Sequence, residues 1–503
     1  MKWMALALLV LVPQEESTLR VAWGTVRTVD PALAILPQDV RVTEALFEGL
    51  GLTAAKTDGA VVTFTLPDLK WTDGRPVTAS DYRFAWMRCL DPATGSPWAF
   101  RFRHIKNARA WHEAEALSGR LLLYESEGPA GRAEIVRAAK EMGSKRHAGA
   151  MREAIAVEKD ERLKAGLEES LEAAGRREDL AGSAVGIRAV NARTLEVTLE
   201  SPRAGFAQLA STSPFLPVPE HVVKARRDQW THPDTLVTCG EYKLERWTRD
   251  GLVLARSGAG DGPARVAFAT ADRAADAWTL YERGVVDWLD RSLVPPEKLE
   301  ALAASGELRS APGAAVSFLR LSDKVKPGLR RAIALGIDRA ALAKRAGPGS
   351  VETRSLAGSA EGPARDLVAA MAALAGEFPD LKLPRLRLLV WKDPAAEELA
   401  RAVREQVEEA LAVSVRIDLR EGPPYRDAIA AGDFDLALTT FAPEAGDPAG
   451  VLDLFAEGRA AGEKPLLESA LAVPLVREGE WFVAKPRVQA KWGMPLSDVR
   501  LTK

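Results

Sequence analysis

Residues 69–91, LKWTDGRPVTASDYRFAWMRCLD, leave the chain little conformational choice. Upstream, Val61, Val62, Thr63, Phe64, Thr65 and Leu66 alternate apolar and polar, the period-two signal of a half-buried strand that runs on to Trp71. Asp73-Gly74 supplies residues that tolerate positive φ in a tight turn, and Pro76 fixes the backbone leaving it. Thr78 then reads as a helix N-cap with Asp81 three residues on, a capping-box spacing. Tyr82, Phe84, Ala85, Trp86 and Leu90 form an apolar stripe, and Asp91-Pro92 ends the helix. Strand, turn, capped helix and stop are thus expected within about thirty residues.

The rest of the chain sets the scale. At 503 residues it exceeds what one core usually serves, so two or three lobes are expected. Lys and Arg (68) nearly balance Asp and Glu (70), which leaves no basic field for nucleic acid. Met1 to Val12 joins a lysine to a short apolar run, too short to span a bilayer and suited to a secretory signal, here placed at residues 1–18. No cysteine follows it for lipid attachment, and Cys89 and Cys239 either pair in an oxidising compartment or stay as buried free thiols. From Trp111 to about Gly182 the chain turns rich in Ala, Glu, Arg and Lys with apolar residues three to four apart, the mark of surface helices.

Further on, residues 185–200 read as a hairpin turning at Asn191-Ala192-Arg193, and Tyr242 to Trp247 as a strand. Pro327 to Ala346 reads as one helix with Leu329, Ile333, Leu335 and Ile337 in the core. Leu386–Trp391, the helix Pro394–Leu411 and Val413–Leu419 make a β-α-β unit, followed by a strand from Asp435 to Phe441. Ser257 to Gly262 is Gly-rich but has no following lysine, so it is a connection and not a phosphate loop. The five histidines lack metal-ligand spacing, no Ser sits in a GxSxG elbow, and His104 and His112 read as surface or capping residues. Neither an enzyme nor a metal or other cofactor is expected.

The wording of several blocks carries more than their periodicity. KW-x-DG-x-PVTA-x-D, W-x-R-x-LDP-x-TGSPWA, Leu46-Phe47-Glu48-Gly49-Leu50, NARTLEVTLESP, FLPVPEHVV from Phe215, VTCGEYKLERW from Val237, LRRAIALGIDRAAL from Leu329 and GDFDLALTTF from Gly432 together resemble the extracellular solute-binding proteins of family 5, the oligopeptide- and dipeptide-binding class serving ABC importers. The resemblance implies an α/β periplasmic-binding-protein clamp of two lobes and three subdomains, class II-like, with a helical insertion. It implies lobe I from 19–48, 183–312 and 476–503, a small subdomain at 49–182 with its insertion at about 112–182, and lobe II at 313–475. By the same resemblance the protein is monomeric and extracytoplasmic, captures peptides or a similar extended ligand, and hands them to ABC transporter membrane subunits. A drifted homologue that binds a partner or acts as a sensor through its helical insertion is the other reading.

Site residues follow position by position from the resemblance. Ala34, Ile35 and Leu36, with Pro37, match a segment that runs beside the ligand; Trp98 and Phe100 match an aromatic wall; Trp391 falls where a second-lobe strand ends at the cleft. In Thr440-Phe441-Ala442-Pro443-Glu444-Ala445-Gly446-Asp447-Pro448, Glu444 aligns with the acid that meets a peptide α-ammonium, and it or Asp447 otherwise caps a loop. Phe441 joins these as an expected contact. The family's basic residues are replaced by Leu438 and Ile429, and its C-terminal aromatic run by Leu475-Val476-Arg477-Glu478.

Overall fold

In the computed structural model the stretch at 61–91 takes the form its residues dictate. Strand β3 (Val61–Thr65) stops short of the expected run to Trp71, and a turn follows in which the Trp71 amide donates to the Arg75 carbonyl (2.8 Å), with Gly74 at φ +90°. The helix Ala79–Leu90 starts on its capping box: the Asp81 carboxylate accepts from both the amide and the hydroxyl of Thr78, each at 2.8 Å. It buries Tyr82, Ala85, Trp86, Cys89 and Leu90, while Phe84 sits at the flank under the Lys224 ammonium, 5.6 Å from its ring centre. Trp86 meets Phe64, Phe102 and Phe215 edge-on, and its indole N–H donates to the Phe215 carbonyl (2.8 Å). An aromatic centre of this kind fixes the helix against the sheet through burial and ring geometry together.

The described residues are 17–51, 55–203, 205–271, 273–380, 382–443, 448–455, 462–491 and 494–502. They fall into two units, one of 1–287 with 487–489 and 494–503, the other of 288–486 with 490–493. The chain is mixed α/β throughout. In the first unit, β1 (Thr18–Trp23) pairs in parallel with β8 (Arg265–Thr270), which continues antiparallel through β7 (Gly251–Arg256) to β6 (Tyr242–Thr248). A second, antiparallel sheet runs β2 (Ala55–Asp58), β3, β5 (Thr194–Thr198), β4 (Ile187–Asn191), with the expected hairpin between β4 and β5. Asp287 closes the unit: its buried carboxylate takes bidentate pairs from Arg20 (2.8 and 2.9 Å) and Arg487 (2.9 Å each). Burial alone would raise its pKa, but the two guanidinium groups outweigh that and hold it below the usual carboxylate range.

The segment expected to be helical beyond Trp111 forms four helices, Ala108–Leu122, Pro129–Met142, Ala148–Val157 and Glu161–Ala174. They share a core of their own, including Leu117, Leu121, Tyr124, Ile135, Met151 and Leu167. The two ends of this insertion meet: the Asn107 side-chain amide donates to the Ala184 carbonyl (2.9 Å), and the Gly186 amide to the Lys106 carbonyl (2.9 Å).

In the second unit the strand order is β13 (Val415–Arg420), β12 (Leu386–Trp391), β14 (Leu436–Phe441), β10 (Leu308–Leu321), β15 (Ala472–Ala484), β9 (Trp288–Leu289), and the short β11 (Val351–Glu352) also pairs with β15. β12 is parallel to both its neighbours, the mark of the crossover helix Pro394–Leu411, and the rest is antiparallel. One expectation is corrected here. The span 327–346 is two helices, Pro327–Gly336 and Arg339–Ala346, because Asp338 breaks the first and caps the second: its carboxylate accepts from the Ala341 amide (2.9 Å) and its own amide donates to Gln406 (2.8 Å).

The same unit holds a carboxylate used as a structural anion. Glu463, 2% exposed, accepts at Oε1 from the Ser355 hydroxyl and the Leu356 and Ala357 amides (2.8, 2.5 and 3.2 Å). At Oε2 it accepts from the amide and hydroxyl of Ser359 and the Ala360 amide (2.9, 2.7 and 3.0 Å). The loop 355–360 is thereby wound around one side chain. Burial pushes that carboxyl up, but the bonds from Ser359, Ser355 and the loop amides prevail and keep its pKa below the ordinary value.

Candidate functional site

In the first unit the candidate residues 34–36 sit on a loop that the opening motif ties down. Asp30 turns the chain after β1, its carboxylate accepting from the Ala32 amide (3.0 Å), and Arg88 of the capped helix clamps it with bonds of 2.9 and 2.6 Å. Ser96 donates its one hydroxyl proton to the Ala32 carbonyl (2.7 Å) and accepts from the Trp98 amide (3.2 Å). The Cys89 sulfur lies 3.0 Å from the same oxygen, so its S–H donates; burial pushes the thiol up to about 12 and keeps that proton in place. Finally the Trp98 indole N–H donates to the Ala34 carbonyl (2.8 Å).

These bonds present an apolar ledge. Ala34 itself is buried and offers only backbone, whereas Ile35 is 57% and Phe100 50% exposed. Leu36 is half-buried and precedes the helix Pro37–Leu46. The rings of Trp98 and Phe100 lie 6.2 Å apart, tilted by 41°, and the Arg101 guanidinium stacks 4.7 Å from the Trp98 ring centre. Two large apolar side chains are thus left in water on a firmly braced loop. Ala34, Ile35, Trp98 and Phe100 are thus brought together; the Arg88–Asp30 pair and the Ser96 bonds that brace them were not assigned from sequence, although Arg88 and Ser96 belong to the quoted block W-x-R-x-LDP-x-TGSPWA.

In the second unit Trp391, at the end of β12, is 41% exposed and meets Tyr425 edge-on at 5.2 Å. The Tyr425 hydroxyl points to the Leu438 carbonyl (3.4 Å). Phe441, at the end of β14, is half-buried against a cluster containing Val316, Phe318 and Leu452. Leu438 lies in the core and Ile429 packs partly buried beside Leu389 and Phe434. Glu444 and Asp447 lie outside the described residues. One polar group was missed: where β10, β14 and β15 run side by side, Ser317 Oγ lies 2.6 Å from Thr440 Oγ1 and donates to Glu478 Oε1 (2.6 Å). The sequence signal was Glu478 itself, standing where the family is aromatic.

His112 takes the capping role expected of it, its Nδ1 2.6 Å from the Leu90 carbonyl at the end of the capped helix, while His104 lies 3.1 Å from the Arg203 guanidinium. Cys89 and Cys239 are both buried free thiols, unpaired with each other. Among the described residues no group of three or more His, Cys, Asp or Glu side chains is arranged for a metal ion, and no helix is long and apolar enough to cross a membrane.

Known proteins match this arrangement along most of the chain. The probable deoxycholate-binding periplasmic protein YgiS of Escherichia coli (strain K12) is 25% identical over 397 residues, 73% of this chain and 62% of that protein. The oligopeptide-binding protein OppA of Bacillus subtilis (strain 168) is 23% identical over 429 residues, 79% of this chain and 67% of the relative. This chain therefore spans about two thirds of these relatives' length. A crystal structure of a periplasmic oligopeptide-binding protein (OppAIV) from Borrelia burgdorferi superposes with a TM-score of 0.65 at 20% identity, covering 96% of this chain and all of that one, so the fold is the two-lobed α/β fold of that class. The profile of the bacterial extracellular solute-binding proteins, family 5 Middle, matches residues 50–463, and the chain belongs to that family.

Proposed function

We propose that the protein is an extracytoplasmic receptor that captures a peptide, or a similarly extended ligand, for delivery to an ABC importer. The observation that carries this reading is the braced ledge, where Ile35 and Phe100 stand exposed beside the half-buried Trp98, held by bonds to Asp30 and to the Ala34 carbonyl. Such a ledge offers a ligand apolar area at little ordering cost, because its backbone is already fixed. Trp391, with its exposed ring, and Phe441, Glu444 and Asp447 belong to the same reading as ligand contacts. Relatives named for oligopeptide and dipeptide binding support it. Membrane subunits of an importer are the partners this reading requires, and export past the inner membrane its location.

Intrinsic tryptophan fluorescence, titrated with pools of di- to pentapeptides, tests it: saturable change at micromolar peptide is expected, reduced in Trp98→Ala. A parallel titration with deoxycholate uses the ligand in one relative's name. Response to deoxycholate alone replaces the peptide with an amphipathic acid, and silence in both arms removes ligand capture.

A further inference from the structure

We propose that the second unit carries a site for a small inorganic oxyanion of the phosphate and sulfate class, in a cavity of about 570 Å³ lined by Arg339, Arg354 and Arg365. The key group is Arg339, the first residue of the helix Arg339–Ala346 and only 5% exposed. Its Nε donates to the Pro474 carbonyl (2.7 Å) and its Nη2 to the Ala334 carbonyl (3.2 Å), both neutral acceptors. No carboxylate lies within ion-pair distance of it among the described residues, and its Nη1 keeps no protein partner.

Two of the three lining carboxylates are spent on the lining guanidinium groups other than Arg339. Asp338 pairs with Arg365 at 2.8 Å, and Glu361 with Arg354. Glu352, the remaining acid of the lining, is exposed at the rim. Burial, and next the charge of Arg354, push the Arg339 guanidinium down to about 10, which outweighs the pull of Glu352. A buried cation whose strongest charged neighbour is another cation is costly unless an anion reaches it. The open cavity beside Arg339 gives an oxyanion that access, and the unpartnered Nη1 can donate to it.

The test is phosphate binding by the full chain at constant ionic strength, read by ³¹P line broadening and by melting temperature, with sulfate and chloride arms. Arg339→Gln also loses two structural bonds and can fail to fold, so the deciding variant is Ala364→Trp, which adds bulk at an exposed lining position and replaces none of the guanidinium's partners. Saturable phosphate and sulfate binding, weakened at least about tenfold by Ala364→Trp, with no matching response to chloride, is the expected result. Equal responses in wild type and Ala364→Trp, a matching chloride response, or no response at millimolar phosphate overturns the site. Peptide titration of the same variants reads the ligand site separately, so failure of one does not imply failure of the other.

Discussion

Replacing Glu463 by Gln tests whether one carboxylate organises the loop 355–360. The wild-type side chain satisfies six donors, three on each oxygen, four of them backbone amides. A glutamine keeps one oxygen for three of them and turns an NH₂ toward the rest. The Ser359 hydroxyl can rotate to accept from it, but two amides are left facing a donor. Each buried orphan costs about 1–3 kcal/mol, so the variant should lose about 2–6 kcal/mol. With a urea slope of about 3 kcal/mol/M, the midpoint of the second unit falls by about 0.7–2 M while that of the first stays put. The pH dependence has a fixed sign. Because the folded pKa lies below the unfolded value, the carboxylate's contribution is complete above about pH 4.5 and fades as pH falls through the folded pKa. The gap between wild type and variant should therefore close in acid. A loss under about 1 kcal/mol, or a gap unchanged down to pH 3, refutes the reasoning.

Asp30→Asn, which breaks the Arg88 pair, whose side chains are 3% and 18% exposed, should cost about 3–5 kcal/mol by chemical denaturation. Trp98→Phe removes the donor to the Ala34 carbonyl while keeping a ring; about 1 kcal/mol of stability and a several-fold drop in ligand affinity by calorimetry are expected, and unchanged affinity would separate the ledge from binding. Cys89 and Cys239, buried and pushed up to about 12, should not react with a disulfide reagent at pH 8 until denaturant is added; rapid labelling of the native protein would contradict their placement.

Local chemistry was readable where partners are close in sequence. The Thr78–Asp81 box, the turn at Gly74 and the Asn191–Arg193 hairpin turn all place their hydrogen bonds within a few residues, so spacing alone specified them. The break at Ile337-Asp338 was missed because the apolar spacing runs through it; an aspartate after Gly336 was the overlooked cap. What holds the ledge was hidden for another reason. Arg88 reaches Asp30 across 58 residues, and Glu463 reaches its loop across more than a hundred. No periodicity encodes such pairs, and only the packed chain brings them together. Resemblance named Ile35, Trp98 and Phe100 as contacts without saying what would steady them.

The bonds joining Asn107 to Ala184 and Lys106 to Gly186 give the helical insertion a practical meaning. Chain that departs and re-enters at one doorway, carrying its own apolar interior, is a detachable cartridge. Its host sheet is already stitched at the threshold, so a short glycine bridge, or an unrelated folded tag with neighbouring termini, can be seated there without altering strand register. The doorway is thus a ready mounting point for a reporter.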